Sequence, residues 1–425
     1  MPPTLGDDGG AASVVRELDP LRVAAIFGAF AFSYFVSALL RAIVATLAPE
    51  FARELHLGAG HLGLLAGVYF LGFACMQLPV GWSLDRWGAR RVLLGLLVFA
   101  VIGCVGFGLA TTLGQLVLAR LLIGMGVSAS LMAPLALYVR LFEQPLQLRL
   151  NAWMLMSGSL GMVASTLPVQ ALLPLVGWRA LFHGLAALLV GAMVVIAIVT
   201  PAHSSGMQDR ARGIGGYRGI LGHPMFVRCA PLGFFSYGGL IAVQSLWAGP
   251  WLTDVVGASA VGAAQGLFAI NLSMLAVFLA WGLAMPRLTA LGLSAERLIG
   301  WGWPVGAGVM VAIVVLGRGA GAAWLAAWCV CTSVITLSQP AVAQAFTRAE
   351  AGRALSAFNL LIFLGVFVCQ WGIGLTIDAL VAAGWDRAAG HRAALTLQLI
   401  GNVFAGLWYW SHPRYHGARV ARARG

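Results

Sequence analysis

Long apolar runs separated by short charged or turn-forming stretches fill the chain. Twelve can be marked: 21–48, 61–82, 92–111, 114–141, 150–175, 179–200, 224–252, 259–286, 297–317, 320–346, 354–380 and 392–411. Each approaches or exceeds the roughly 20 residues with which a helix crosses a bilayer core. The pattern predicts an all-α membrane protein of twelve transmembrane helices. The longest interior polar stretch, 201–223, divides the runs six and six. The expected organisation is a tail at 1–20, a six-helix bundle at 21–200, a central loop at 201–223, a second six-helix bundle at 224–411 and a basic tail at 412–425.

Composition removes the soluble alternatives. Of 425 residues 60% are hydrophobic and only 9% are charged, with a mean hydropathy of +0.90. A soluble domain carries about 25% charged residues. All 26 basic residues are arginine. Without lysine there is no P-loop and no lysine Schiff base, so Walker-type ATP hydrolysis is excluded. The arginine bias also points to a G+C-rich bacterial genome. Cys75, Cys104, Cys229, Cys329, Cys331 and Cys369 lie in or beside apolar runs without zinc-type spacing and read as small core residues. The first 20 residues, with Asp7, Asp8, Glu17 and Asp19, do not resemble a secretory signal, so the first span is expected to be retained.

The net charge of +12 would suit nucleic-acid binding in a soluble protein, but here topology accounts for it. With a cytoplasmic N-terminus, nineteen arginines fall in cytoplasmic segments and their margins. Five (Arg53, Arg179, Arg318, Arg387 and Arg392) fall outside, and Arg41 and Arg120 lie within spans. The positive-inside rule then places both termini in the cytoplasm, across a bacterial inner membrane.

A weak repeat relates the two sets of six. Phe32-Ser33-Tyr34, with Arg41 seven residues on, is echoed 203 residues later by Phe235-Ser236-Tyr237 and Gln244. Gly177-Trp178-Arg179 is echoed after span 11 by Gly384-Trp385-Asp386-Arg387. Six spans per half put both copies in the same orientation, as in transporters built from two parallel bundles.

The most specific segment follows span 2: Gly81-Trp82-Ser83-Leu84-Asp85-Arg86-Trp87-Gly88-Ala89-Arg90-Arg91. It resembles the signature G-x-x-x-D-[RK]-x-G-x-[RK]-[RK] of the major facilitator superfamily of secondary transporters, in the cytoplasmic loop between helices 2 and 3. Gly81 permits close helix contact, Gly88 a tight turn, and Asp85 lies where helix dipoles act on it. A carboxylate among Arg86, Arg90 and Arg91 suits a gate latch between two bundles; the alternative is an ordinary positive-inside loop. Arg120 opens Arg120-Leu121-Leu122-Ile123-Gly124-Met125-Gly126, which resembles the R-x-x-x-G-x-G pattern of that family's fourth helix. The resemblance implies a coupling or gate-anchoring role for Arg120, beside which a purely structural buried arginine remains open. The corresponding loop of the second half, Gly282 to Arg287, lacks the aspartate, and span 5 lacks the glycine-proline motif of many drug antiporters.

Tyr34 and Arg41 stand seven apart and share a helix face, and Tyr237 and Gln244 form the matching pair. In the family's fold, helices 1 and 7 line the central cavity, so these four are candidates for substrate contact. Arg41 either attracts an anion there or reaches the outer interface near Glu50. Asn271, Gln339, Asn359 and Gln370 are polar within later spans, either as cavity residues or as helix-to-helix glue. Asp378 is the acid of span 11, a proton carrier or an interfacial carboxylate. No histidine lies mid-membrane, and Met274 and Met285 lack metal-ligand spacing.

These features imply a secondary transporter that moves a small polar or anionic organic solute by alternating access, driven by a proton or solute gradient. It is expected to be a monomer needing no cofactor. A multidrug or metabolite exporter of the same fold is the first rival, weakened by the missing antiporter motif. A membrane sensor on the same scaffold is the second, weakened by the nine residues that follow His416. No cluster of carboxylates, histidines or an activated serine supports an enzyme.

Overall fold

The computed structural model describes residues 19–200 and 217–412; the side chains of Asp85, Arg140, Gln144, Leu148, Arg348 and Ala349 lie outside the description. Among the described residues the chain makes twelve long helical passes. The first six are α1 (Pro20–Leu55), α2 (Ala59–Leu84), α3 (Ala89–Leu109), α4 (Leu113–Val139), α5 (Gln144–Ala164, resuming over 167–176) and α6 (178–199). The second six are α7 (Pro224–Val255), α8 (Ala260–Ala290), α9 (Ala295–Gly319), α10 (Ala322–Gln344), α11 (Arg348–Ala382) and α12 (Arg387–Ser411). Ten segments are long and apolar enough by themselves to cross a membrane.

Local chemistry sets the ends of these helices. Asp19 accepts from the Leu21 amide ahead of Pro20, which suits a first helical turn because it has no N–H to satisfy. Thr112 and Gln115 form a reciprocal capping box that starts α4. Gly177 (φ 73°) and Gly384 (φ 90°) turn the chain at the two positions that the repeat pairs. Large apolar side chains such as Leu109, Ile198, Leu283 and Val315 are exposed. In hydrocarbon, exposed apolar surface carries no cost, and the belt fits a bilayer.

Several passes depart from the expected regular helix: α2 is interrupted at Met76, α4 over 128–131, and α10 tightens to 3-10 turns over Ser333–Leu337. α5 is interrupted at Ser165 and Thr166, just ahead of Pro168. α7 alternates α turns with three π-helical stretches, Leu232–Tyr237, Val243–Trp247 and Trp251–Val255. Such turns are uncommon and concentrate at functional positions.

The halves meet along α2 and α11. A Cβ at Gly63 would come within 2.4 Å of the Gln370 carbonyl, Phe73 and Phe363 rings lie 4.6 Å apart, and Gly81 faces Ser356. α1 meets α7 where a Cβ on Gly249 would stand 2.9 Å from the Ala45 carbonyl oxygen. Asn271 of α8 reaches the Met162 carbonyl of α5 at 3.5 Å.

Candidate functional site at the bundle centre

The centre is built from α1 outwards. Seven residues of helix are nearly two turns, so Tyr34 and Arg41 share a face, and that face points into the bundle. Tyr34 is buried, its ring against Gly158 of α5, where a Cβ would collide at 2.3 Å. Arg41 is half-buried, with its guanidinium 5.7 Å from the Phe73 ring centre. Tyr69, Tyr34 and Tyr237 are the titratable groups near enough to act on its charge, Tyr69 also as a hydrogen-bonding group. Its Nε is buried without a partner. Glu50, the acid that snorkelling would bring near, is taken by Arg53. Arg41 thus faces the interior, and Tyr237 brings α7 of the other half to it.

Arg120 sits differently. It is fully buried, donating from Nη1 to the Leu40 carbonyl at 2.9 Å and from Nε to the Leu65 carbonyl at 3.4 Å. Its guanidinium lies 4.9 Å from the Tyr69 ring centre. Arg120 therefore ties α4 to α1 and α2. The glycines after it serve the same packing: Cβ atoms at Gly124 and Gly126 would strike the backbone of Tyr69 and Ala100 at 2.0 and 2.2 Å. Tyr69 stands between Arg41 and Arg120.

The amide side chains largely satisfy one another. Gln244 donates to Asn271 at 2.9 Å, Gln339 donates to Asn359, and Gln370 donates to Ser245 at 2.9 Å. Tyr34, Arg41 and Tyr237 are brought together as the repeat implies, whereas Gln244 is turned to α8. The seven-residue spacing assumes unbroken α-helix, and the wide turns of α7 break that register.

In the loop after α2, Gly88 adopts φ 78°, which only glycine takes without strain. Arg86 lies over Trp82 at 5.3 Å, Arg90 donates to the Ala197 carbonyl at the end of α6, and Arg91 is exposed. The Asp85 side chain lies outside the described residues.

At the opposite end, Asp378 accepts from the Ala59 amide at 2.9 Å and the Gly60 amide at 2.8 Å, across the boundary between the halves. A carboxylate at a helix N-terminus satisfies orphan amides and complements the dipole. Nearby, Glu54 receives Trp178 Nε1 and Arg179. In the other half Asp254 meets Arg387 at 3.7 Å and the buried His391 at 3.3 Å. Among the described residues every acid lies near a helix end, and Arg41 forms no ion pair. Tyr69, Phe73 and Phe363 escaped the sequence reading; Tyr69 alone gave a signal, as the only hydroxyl-bearing residue in span 2.

A family profile described as Major Facilitator Superfamily matches residues 30–370. Two solved structures share the architecture. One is a bacterial homologue of the human lysosomal transporter Spinster (TM-score 0.73, 16% identity, 93% of this chain and 97% of that one). The other is a D-xylose-proton symporter, with the same TM-score, identity and coverage. At that identity the likeness concerns the fold. A protein of Salmonella newport (strain SL254) described as "Putative multidrug resistance protein MdtD" is 35% identical over 104 residues. That match spans 24% of this chain and 22% of the relative.

Proposed function

The chain belongs to the Major Facilitator Superfamily, and from that premise we propose that it carries a small polar or anionic organic solute by alternating access, driven by a proton or solute gradient. It is a multi-pass membrane transporter rather than an enzyme. The observation that carries the solute reading is Arg41: a cation inside the bundle, facing α7 of the other half, with an unpartnered Nε and no acid beside it. A charge in that position costs several kcal/mol unless it is paired, hydrated or used. A bound anion supplies the missing partner. Tyr34 and Tyr237, one from each half, flank it as the substrate contacts, and Gln244, Asn271, Gln339 and Asn359 brace the helices around it.

Asp378 then acts as the clasp of the outer gate, and the 81–91 loop, with Gly81, Asp85, Arg86, Gly88, Arg90 and Arg91, as its cytoplasmic counterpart. Arg120 holds the first bundle rigid while the two bundles rock. The arginine distribution supports cytoplasmic termini in a bacterial inner membrane, and the protein acts as a monomer. Export of a drug or metabolite is the second reading, favoured by the 104-residue match to the multidrug resistance relative.

The test is reconstitution of the full chain in proteoliposomes, with uptake screened against a solute library under imposed pH, sodium and solute gradients. Gradient-driven accumulation of an anion, lost in Arg41→Gln, is expected. Accumulation of cations alone overturns the anion reading.

A further inference from the structure

We infer that the transported solute is a monocarboxylate with an apolar body and no ammonium group; this rests on the transporter reading above. Three observations converge on it. Arg41 is the charged group at the centre that is not sealed away: Arg120 is fully buried with Nη1 and Nε on the Leu40 and Leu65 carbonyls and only Nη2 unpartnered, whereas Arg41 is half-buried and, among the described residues, makes no ion pair. One guanidinium offers one planar fork, which matches one carboxylate.

The second observation is what surrounds the fork. Tyr34, Tyr69, Phe73 and Tyr237 stand near Arg41, and Phe363 of the other half continues the wall from Phe73. These are ring faces with a few phenolic hydroxyls. Of the amides that a sugar would need, Gln244 is paired with Asn271 and Gln339 with Asn359, and Gln370 donates to Ser245. Besides Arg41 Nε, that leaves Gln370 Oε1 and the Ser33 and Ser37 hydroxyls as the unpartnered buried side-chain polar atoms among the described residues of α1 and α11. A polyhydroxylated solute would bury hydroxyls there without enough partners, at a cost per group. An apolar or aromatic body loses nothing.

The third is the absence of acid. Among the described residues no Asp or Glu is set against this cluster; each lies near a helix end. An ammonium on the solute would be desolvated beside a guanidinium of like sign with no carboxylate to receive it. The site therefore rejects zwitterionic amino acids of the same shape as an acceptable acid.

3-Phenylpropionate and phenylalanine test this, because they share a skeleton and a carboxylate and differ by one ammonium group. 3-Phenylpropanol lacks the charge, and phenyl phosphate presents a different anion on the same ring. Binding of each to the purified full chain is read by calorimetry and by counterflow in proteoliposomes. The expected result is binding of 3-phenylpropionate, at least about tenfold weaker binding of phenylalanine and the alcohol, and loss of 3-phenylpropionate binding in Arg41→Gln. The wild-type comparison stands whether or not that variant folds. Equal binding of phenylalanine, or no binding of 3-phenylpropionate, overturns the inference. Arg41-dependent binding of phenyl phosphate alone overturns it while the anion-transporter reading survives. Binding that is unchanged in a folded Arg41→Gln overturns both.

Discussion

Asp378 on α11 and Gly60 on α2, 318 positions apart in the chain, meet at 2.8 Å, and the other oxygen of the same carboxylate holds the Ala59 amide at 2.9 Å. One side chain thus caps a helix that belongs to the other half. Capping is worth about 1 kcal/mol, and here it is available only while the halves are together at this end.

Asp378→Ala should shift the balance toward separated outer ends by about fivefold, the equivalent of about 1 kcal/mol. Spin labels on the outer ends of α2 and α11, read as a distance distribution, check it. Asp378→Asn keeps one acceptor and should fall between. An unchanged distribution in Asp378→Ala would remove the clasp.

Gly63 gives a second, steric handle on the same seam. A Cβ there would sit 2.4 Å from the Gln370 carbonyl oxygen and 3.2 Å from the Trp371 Cα. Both are backbone-bound and cannot give way. Gly63→Ala is expected to separate α2 from α11 and to lower transport. Gly95→Ala meets nothing within 4 Å and gains helix propensity of about 1 kcal/mol, so it should be neutral or stabilising. Equal behaviour of the two variants in the same distance measurement would contradict the packing described for this seam.

Arg120 is expected to matter for stability first. Lysine keeps the charge but reaches only one carbonyl, and a hydrogen bond from a charged donor contributes about 1.5–3 kcal/mol. Arg120→Lys should therefore cost about 2 kcal/mol in reversible denaturation in detergent. A loss of transport with unchanged stability would place Arg120 in the transport step instead of the scaffold.

Asp85→Asn tests the loop motif. Normal membrane insertion with about tenfold slower turnover, equivalent to about 1.4 kcal/mol on the rate-limiting step, is the expected result. Wild-type rates in proteoliposomes would show that the aspartate is no latch.

The twelve passes were legible because span length and hydrophobicity are set by the bilayer, and each run in the sequence has its helix. The two corners that the repeat pairs are alike in the structure. The paired glycines Gly177 and Gly384 both take positive φ, and the arginines after them bind acids at the ends of α1 and α7, Arg179 to Glu54 and Arg387 to Asp254. The sequence leaves Arg41 open between cavity and interface, because helix phase gives the face but not what that face meets. Tyr69 and Phe363 were invisible for the same reason: an aromatic residue in an apolar span looks the same on either side of the helix. A seven-residue spacing in regular α-turns puts Gln244 on the face of Tyr237, and the π-helical stretches of α7 undo that register. Asp378 could be read as an acid near a span end, while its role as a cap for α2 depends on a partner more than 300 residues away.

If the bundles rock as proposed, a guanidinium held within them without a carboxylate is also a charge on which the membrane voltage acts. With a monoanion bound, the site carries no net charge, and the membrane field does no work on it as the bundles rock. Unloaded, it is a single fixed cation, worth up to about 2.3 kcal/mol per 100 mV if carried across the whole field. On the proposed reading, voltage would act on the return of the unloaded carrier, and it would act on the loaded step only through whatever coupling cation rides with the anion, so comparing the voltage dependence of the two half-cycles would report whether such a cation is carried.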